Sequence, residues 1–551
     1  MPARPKGKGK SAPTQIETEV PLAVTFERYA GWLALVLVLV ATIRIVATYS
    51  MLNHTHDEPA HVAAGMEWLE KRAYQFEHQH PPLTRVVAAL LPRLDGGHLW
   101  GREGMWNEGV AILYRSGGYE RTLTLARAGN LVFFWVGCAV VYVWARRYFG
   151  PLPGACALLL FTLIPAVLGH AGLATTDMGL AAMVGAALLM TLVLLEKPTV
   201  WMGVLWGTCI GLGVVSKFSF LPFYPSCLAA GVVFHFWRTR KEGLGPPGKL
   251  VVPVLAGLGV AFLLIWAMYR FSYGPTPYGF PLPFPELFSG IEQVRNHNRA
   301  GHPAYLLGQN SSDGFWYYYP VALMVKTPLA FLGLAGMGLV AAWRSGRFHS
   351  LMPLAFSCGL LAFAVTSQIN IGIRHVLPLY LMLAVLAGWG LARALKEESL
   401  WVKRLAMGLL LWLGIASVWI HPDYIAYFNE LTGDAPEEVL VDSDLDWGQD
   451  VKRAGKYLKS AGAQWVAYQP FVLAYDEEVH GFPPIVAFDP VNPTPGWNLV
   501  STTVWKALRF GQKPATPLFA DRLKPRQRVG RGMLLFYIPI PPGTRPQFEV
   551  R

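Results

Sequence analysis

Apolar residues run along this chain in long blocks separated by short polar breaks, a pattern with no room for the alternation of an exposed sheet. A membrane-crossing helix needs roughly 20 mostly apolar residues. About eleven blocks approach that length: 30–50, 126–145, 152–169, 178–195, 200–215, 219–237, 250–269, 319–342, 350–367, 376–393 and 402–420. They predict a polytopic α-helical membrane module over 30–420. The outer loop 51–125 follows the first block, and there Val62, Met66, Leu69 and Tyr74 recur every three to five residues. Such spacing predicts amphipathic helices lying along the membrane interface. One should start at Pro59, which suits the first turn of a helix, with Asp57 or Glu58 at its positive end. The outer loop 270–318 opens with FSYGPTPYGFPLPFPELFSG, too rich in Pro and Gly for long regular structure, and predicts an irregular cover. Helix-like and strand-like pieces alternate after 421, so 421–551 predicts a small α/β extramembrane domain.

Composition agrees with the blocks: 53% of the 551 residues are hydrophobic and only 15% charged. The five cysteines, Cys138, Cys156, Cys209, Cys227 and Cys358, all fall inside apolar blocks, which makes them small hydrophobes and not disulfide or zinc partners. The net charge of +12 could suggest nucleic acid, but its placement speaks for a membrane. With the N-terminus inside, the segments 1–29, 145–151, 196–199, 238–249, 344–349 and 393–404 face the cytoplasm and hold 18 Lys/Arg, against two in the short opposite turns. That asymmetry obeys the positive-inside rule and leaves no need for a nucleic-acid partner. Residues 1–29 are read as a disordered basic cytoplasmic tail, followed by a retained anchor and not a cleaved signal.

Charge at a membrane is costly, so each charged group at a block end is a candidate for function. The stretch HTHDEPAH (54–61) carries Asp57 and Glu58; Asp177 sits in GLATTDMG, Lys217 in VVSKFSF, and Arg374 with His375 in INIGIRHVLP. The assigned orientation puts them all on the outer face. Carboxylates suit general-base work on a hydroxyl. Arg offers a fork and Lys a point charge to a phosphate. Together they suit a reaction that joins a hydroxyl nucleophile to a phosphate leaving group carried on a lipid. Each also has a plain structural reading: a helix cap for Asp57, Glu58 and Asp177, snorkelling for Lys217, packing for Arg374. The histidines of HTHDEPAH raise a metal, with His56, Asp57, Glu58 and His61 as ligands of a divalent ion. A zincin site needs histidines four apart on one helix, whereas His56 and His61 are five apart across Pro59. DSDLDWGQD (442–450) has Trp447 and Arg453 where a calcium loop needs Gly and Glu, so it reads as a turn into the helix VKRAGKYLKSAG.

DEPAH, HPPL (80–83), TTD (175–177), GLGVVSK (211–217) and NIGIRHVLPLYLMLAVLAGWG (370–390), in this order, resemble the GT-C-type glycosyltransferases of the protein O-mannosyltransferase and aminoarabinose-transferase group. The closest likeness is to bacterial phospholipid-carrier-dependent glycosyltransferases of the family-39 type. HPDYIAYFNEL and DSDLDWGQD look like the tail segments of the same proteins. The resemblance implies a bacterial inner-membrane enzyme that takes a sugar from a polyprenyl phosphate with inversion, on the periplasmic side, without an obligatory cofactor. It implies catalytic roles for Asp57 and Asp177, with Glu58 beside them, and substrate contacts from His80, Lys217, Arg374 and His375. His80 stands where such enzymes carry lysine or histidine, and histidine points to a neutral, mannose-type hexose. The acceptor is left open between protein, lipid and glycan. The rival reading is a transporter or lipid flippase, which would place ionisable groups at mid-bilayer depth and show related halves. Neither is seen in the sequence.

Overall fold

All the apolar blocks are helical in the computed structural model, which describes residues 22–239, 247–469, 471, 480–507 and 517–542. Among the described residues, seven helices are long and apolar enough to cross a membrane, and nine spans result if each of two bent pairs counts as one. Val200–Val214 and Phe348–Ala364 are apolar but shorter, so the expected eleven spans are not established. Both bends follow from proline. Ile164 and Thr327, each preceding a proline, are extended (ψ 117° and 130°), because the following ring excludes the helical conformation. Pro151–Phe161 therefore meets Pro165–Ala171 at 70°, and Tyr318–Lys326 meets Leu329–Ser345 at 109°. Residues 1–21 of the expected N-terminal tail lie outside the described residues, while 22–29 extend the first helix, Leu22–Val46.

The spans sort into an inner and an outer set. Asp177–Glu196 and Leu379–Lys396 are 72% and 78% buried, whereas Leu400–Trp419 and Gly248–Met268 are 17% buried and turn bare Leu, Val and Trp outward. Such an outer surface suits contact with lipid. Helices Val200–Val214 and Val251–Met268 meet through small residues, as membrane helices do where packing must replace the hydrophobic effect. A Cβ on Gly203 would lie 2.0 Å from the Pro253 carbonyl oxygen, and one on Gly207 would lie 2.0 Å from that of Gly257. Gly207→Ala is therefore expected to destabilise the folded protein by about 1–3 kcal/mol, the usual cost of overpacking, read as a lowered Tm in detergent.

The first outer loop differs from expectation in one respect. It holds three helices, Glu58–Glu70, Pro82–Leu94 and Met105–Arg115, with Pro59 in the first turn as predicted. Glu58–Glu70 does not float on the interface; it is buried from Glu58 to Glu67. Glycines allow the depth: a Cβ on Gly65 would strike the Arg85 carbonyl at 2.0 Å, and one on Gly109 that of Pro59 at 1.9 Å. The second outer loop is more regular than its composition suggested, with hairpins Tyr273–Pro275/Pro281–Pro283 and Ala304–Leu306/Gln309–Ser311 around the helix Pro285–Ala300. The proline-rich stretch ends at Pro285, which occupies the first turn; the helix beyond it contains none.

In the tail, helix Val451–Ser460 packs on a five-stranded mixed sheet. In spatial order the strands are Ile485–Val486, Val466–Gln469, Gly496–Ser501, Met533–Ile538 and Gln527–Val529. The first three run parallel and the last two pairings are antiparallel. Residues 421–450 form no part of that sheet; they fold back as turns against the ends of the spans.

Candidate active site

The breaks between spans and the buried loop helices enclose a cavity of about 680 Å³. Asp57, Lys217, Arg374, His375 and His80 line it, together with Trp447 from the tail. Its wall near Lys217 is apolar, with Phe218, Leu221, Phe223 and Phe363.

Asp57 precedes helix Glu58–Glu70 but its side chain makes no capping bond. Oδ2 instead accepts a hydrogen bond from Arg374 Nη1 at 2.8 Å. Burial opposes ionisation of Asp57, yet Arg374 outweighs it and holds the carboxyl below the usual carboxylate range. Asp177 begins helix Asp177–Glu196 and is fully buried; Oδ1 accepts from Lys217 Nζ at 2.6 Å. Its Oδ2 lies 3.8 Å from Arg374 Nη1 and, among the described residues, has no hydrogen-bond partner. Lys217 is buried against this carboxylate, so it does not snorkel to the interface. Arg374 follows Gly372, whose φ of 129° only glycine adopts readily and where a Cβ would lie 2.3 Å from Ser443 Oγ. The Arg374 guanidinium rests on the Trp447 ring at 4.1 Å, and its Nε is buried without a hydrogen-bond partner among the described residues. Two cations thus bracket one carboxylate, and the Arg374 Nε–H is left open as a donor. An oxyanion could accept from it.

The histidines around this pair are neutral near pH 7. Burial, then Lys217 and Arg374, pushes His375 well down, and its ring stacks beside Tyr319. His80 is also lowered, by burial first; Nδ1 faces Glu77 Oε2 at 3.3 Å. Burial and Arg85 likewise lower His61, whose Nδ1 accepts from Arg85 Nε at 3.0 Å.

Glu58 departs from its expected place. It is fully buried and does not reach the cavity lining. Oε1 accepts from Arg127 Nε at 2.8 Å and from the Ala174 amide at 2.9 Å. Oε2 accepts from Arg127 Nη2 and the Thr55 amide, both at 2.8 Å. Its lone pairs are spent on a strut that ties the first loop to the helix Tyr119–Phe149 and the 171–176 turn. The four metal candidates do not converge either. Glu58 is turned to Arg127, His61 to Arg85, and the His56 ring lies between Trp106 and Phe471. Among the described residues no three His, Cys, Asp or Glu side chains are gathered to hold an ion.

Several contributors were not singled out in the sequence. Arg85 forks between Glu77, the Tyr74 hydroxyl and His61, building the wall beneath His80. Asp442 and Trp447 come from DSDLDWGQD, which the sequence presents as a turn resembling the family's tail and not as cavity lining. Lys326 is buried near them and donates to the carbonyls of Ile425 and Asp444.

Residues 120–266 match the family described as dolichyl-phosphate-mannose-protein mannosyltransferase. No curated protein sequence matches the chain. Among solved structures, apo ArnT from Cupriavidus metallidurans shares 15% identity over 92% of this chain and 98% of its own, with a TM-score of 0.50. The same ArnT bound to undecaprenyl phosphate is similar at 14% identity, over 92% and 98%, with a TM-score of 0.49. An oligosaccharyltransferase from Archaeoglobus fulgidus tethered to an acceptor peptide shares 13% identity over 79% of this chain and 57% of its own, at 0.49.

Proposed function

We propose that this chain is a GT-C-type glycosyltransferase that moves a mannose-type hexose from a polyprenyl phosphate to a hydroxyl acceptor on the periplasmic face of a bacterial inner membrane, inverting the anomeric centre. The observation that carries this reading is the Lys217–Asp177–Arg374 cluster beside an apolar wall, with Asp57 bound to the same Arg374 nitrogen that faces Asp177. The apolar wall suits the first isoprene units, and the two cations suit the phosphate. An undecaprenyl-phosphate complex of ArnT and the family description of the 120–266 segment support a lipid-linked donor. The charge asymmetry of the loops supports the outward-facing cavity.

In the proposed reaction the acceptor oxygen attacks the anomeric carbon from the side opposite the phosphate. The bond from that carbon to the phosphate oxygen breaks, the phosphate keeps the electron pair, and the acceptor proton passes to Asp57. Lys217 and Arg374 stabilise the charge that grows on the phosphate, already positioned in a low-dielectric site where such interactions count most. Asp177 lies between the two cations, 2.6 Å from Lys217 Nζ and 3.8 Å from Arg374 Nη1.

The test is direct. Purified protein supplied with a polyprenyl-phosphate mannose should release polyprenyl phosphate and yield the opposite anomer on the acceptor; retention of the donor's configuration would contradict the reading. Arg374→Lys keeps the charge but loses the fork and the stacking on Trp447. It is expected to raise the donor KM about tenfold, the scale of one hydrogen bond to a charged group, measured by polyprenyl-phosphate release at varied donor.

A further inference from the structure

Beside the main cavity lies a smaller chamber of about 140 Å³, and His302, Asp442 and Phe471 line both. Its other walls include Tyr305 and Asn310 of the hairpin Ala304–Leu306/Gln309–Ser311, Tyr318, Asn370 and Thr503. At ~30 Å³ per water it has room for about five waters, the scale of one ring-sized group and not of a length of peptide. No lysine or arginine lines it among the described residues, and His302 is lowered by burial, so Asp442 is its formal charge.

Asp442 sits at the throat between the two spaces in a conformation that L residues avoid, with φ +60°. Four hydrogen bonds hold it there. Its N–H donates to Thr503 Oγ1 at 2.8 Å, and its carbonyl accepts from the Leu445 and Asp446 amides at 2.9 and 3.0 Å. Oδ1 accepts from the Ser443 amide at 2.5 Å. Oδ2 accepts no hydrogen bond among the described residues, and the carboxylate joins no ion pair there, unlike those of Asp57 and Asp177. Strained, over-determined backbone presenting an uncommitted side chain to a cavity is a mark of function. Burial pushes this carboxyl up to about 6, against the pull of Arg374; Asp57 and Asp444 raise it further.

We propose that the chamber is the acceptor subsite and that Asp442 binds a hydroxyl of a neutral saccharide there, presenting the neighbouring hydroxyl to the donor and to Asp57. This rests on the transferase reading above. A carboxylate at the throat attracts hydroxyl donors and repels anionic acceptors, while rings and amides on the walls suit a sugar ring.

Asp442→Asn and Asp442→Gly test it, since Asn and Gly both tolerate positive φ and leave the turn intact. The probes are methyl α-mannoside, its 6-phosphate and a Ser/Thr peptide, with polyprenyl-phosphate mannose as donor. The expected result is transfer to the neutral glycoside. Both variants should raise the acceptor KM about 10–100-fold, the range for losing a hydrogen bond to a charged group. For the native protein the acceptor KM should rise as pH falls below about 6, and that rise should vanish in Asp442→Asn. Arg374, Asp57, Asp444, His302 and Tyr318 also face this carboxyl, and the asparagine variant leaves them in place. An unchanged acceptor KM, or preference for the peptide or the phosphorylated glycoside, overturns the proposal. Should no donor be cleaved, the transferase reading fails by itself. Binding of methyl α-mannoside by saturation-transfer NMR, lost in both variants or not, then decides the subsite.

Discussion

Asp57→Asn is expected to lower kcat for sugar transfer by about 10²–10⁴-fold, the usual contribution of a positioned general base. Donor affinity should stay within a few fold. The asparagine oxygen can still accept from Arg374, which lies 2.8 Å from Asp57 Oδ2, so the cluster that would hold the phosphate keeps its geometry. What is lost is a basic oxygen to take the acceptor proton. In barrier terms the change is about 3–5 kcal/mol. The measurement is single-turnover release of polyprenyl phosphate alongside equilibrium binding of the donor. A variant that transfers at the native rate would remove Asp57 from the chemistry. One that binds donor poorly with normal kcat would recast it as a positioning group for Arg374.

The largest effect on stability should come from Glu58→Gln. Glu58 and Arg127 are both buried, and their two parallel contacts at 2.8 Å have no water to replace them. Removing one charge leaves the other unpaired, at a cost of about 3–5 kcal/mol. The expected reading is a large fall in Tm, partly restored by the double variant Glu58→Gln/Arg127→Met, which buries no net charge. The pH dependence follows in sign. Burial opposes ionisation of Glu58, but Arg127 and the amides of Ala174 and Thr55 hold its folded value below the ordinary one. Its contribution is thus complete above the unfolded carboxyl pKa of ~4.3 and is lost as pH falls through the lower folded value. A variant of native Tm that cannot transfer sugar would instead make Glu58 a participant in the reaction.

The contrast between Asp57 and Glu58 shows where reading the chain stops. The two are adjacent and both acidic, and the pattern around Pro59 locates the helix start correctly. Which carboxylate turns to the cavity depends on Arg127, about seventy residues away, and Arg374, more than three hundred away. No local periodicity carries that information. The loop helix was legible as a helix but not as a buried one, because its depth comes from Gly65 and Gly109 meeting the backbone at Arg85 and Pro59.

By itself the sequence determined that the protein is helical and membrane-embedded, which blocks are helical, and that Asp57, Asp177, Lys217 and Arg374 sit near the ends of those blocks. Those properties follow from apolar block length and the cost of charge in lipid, which act locally along the chain. Only the tertiary structure decided that Lys217 and Arg374 share Asp177, that Glu58 is a strut, and that Asp442 and Trp447 of the tail close the cavity. Pairing of charges and the throat at Asp442 are products of long-range packing, set by which surfaces meet when the spans bundle and the tail folds back over them.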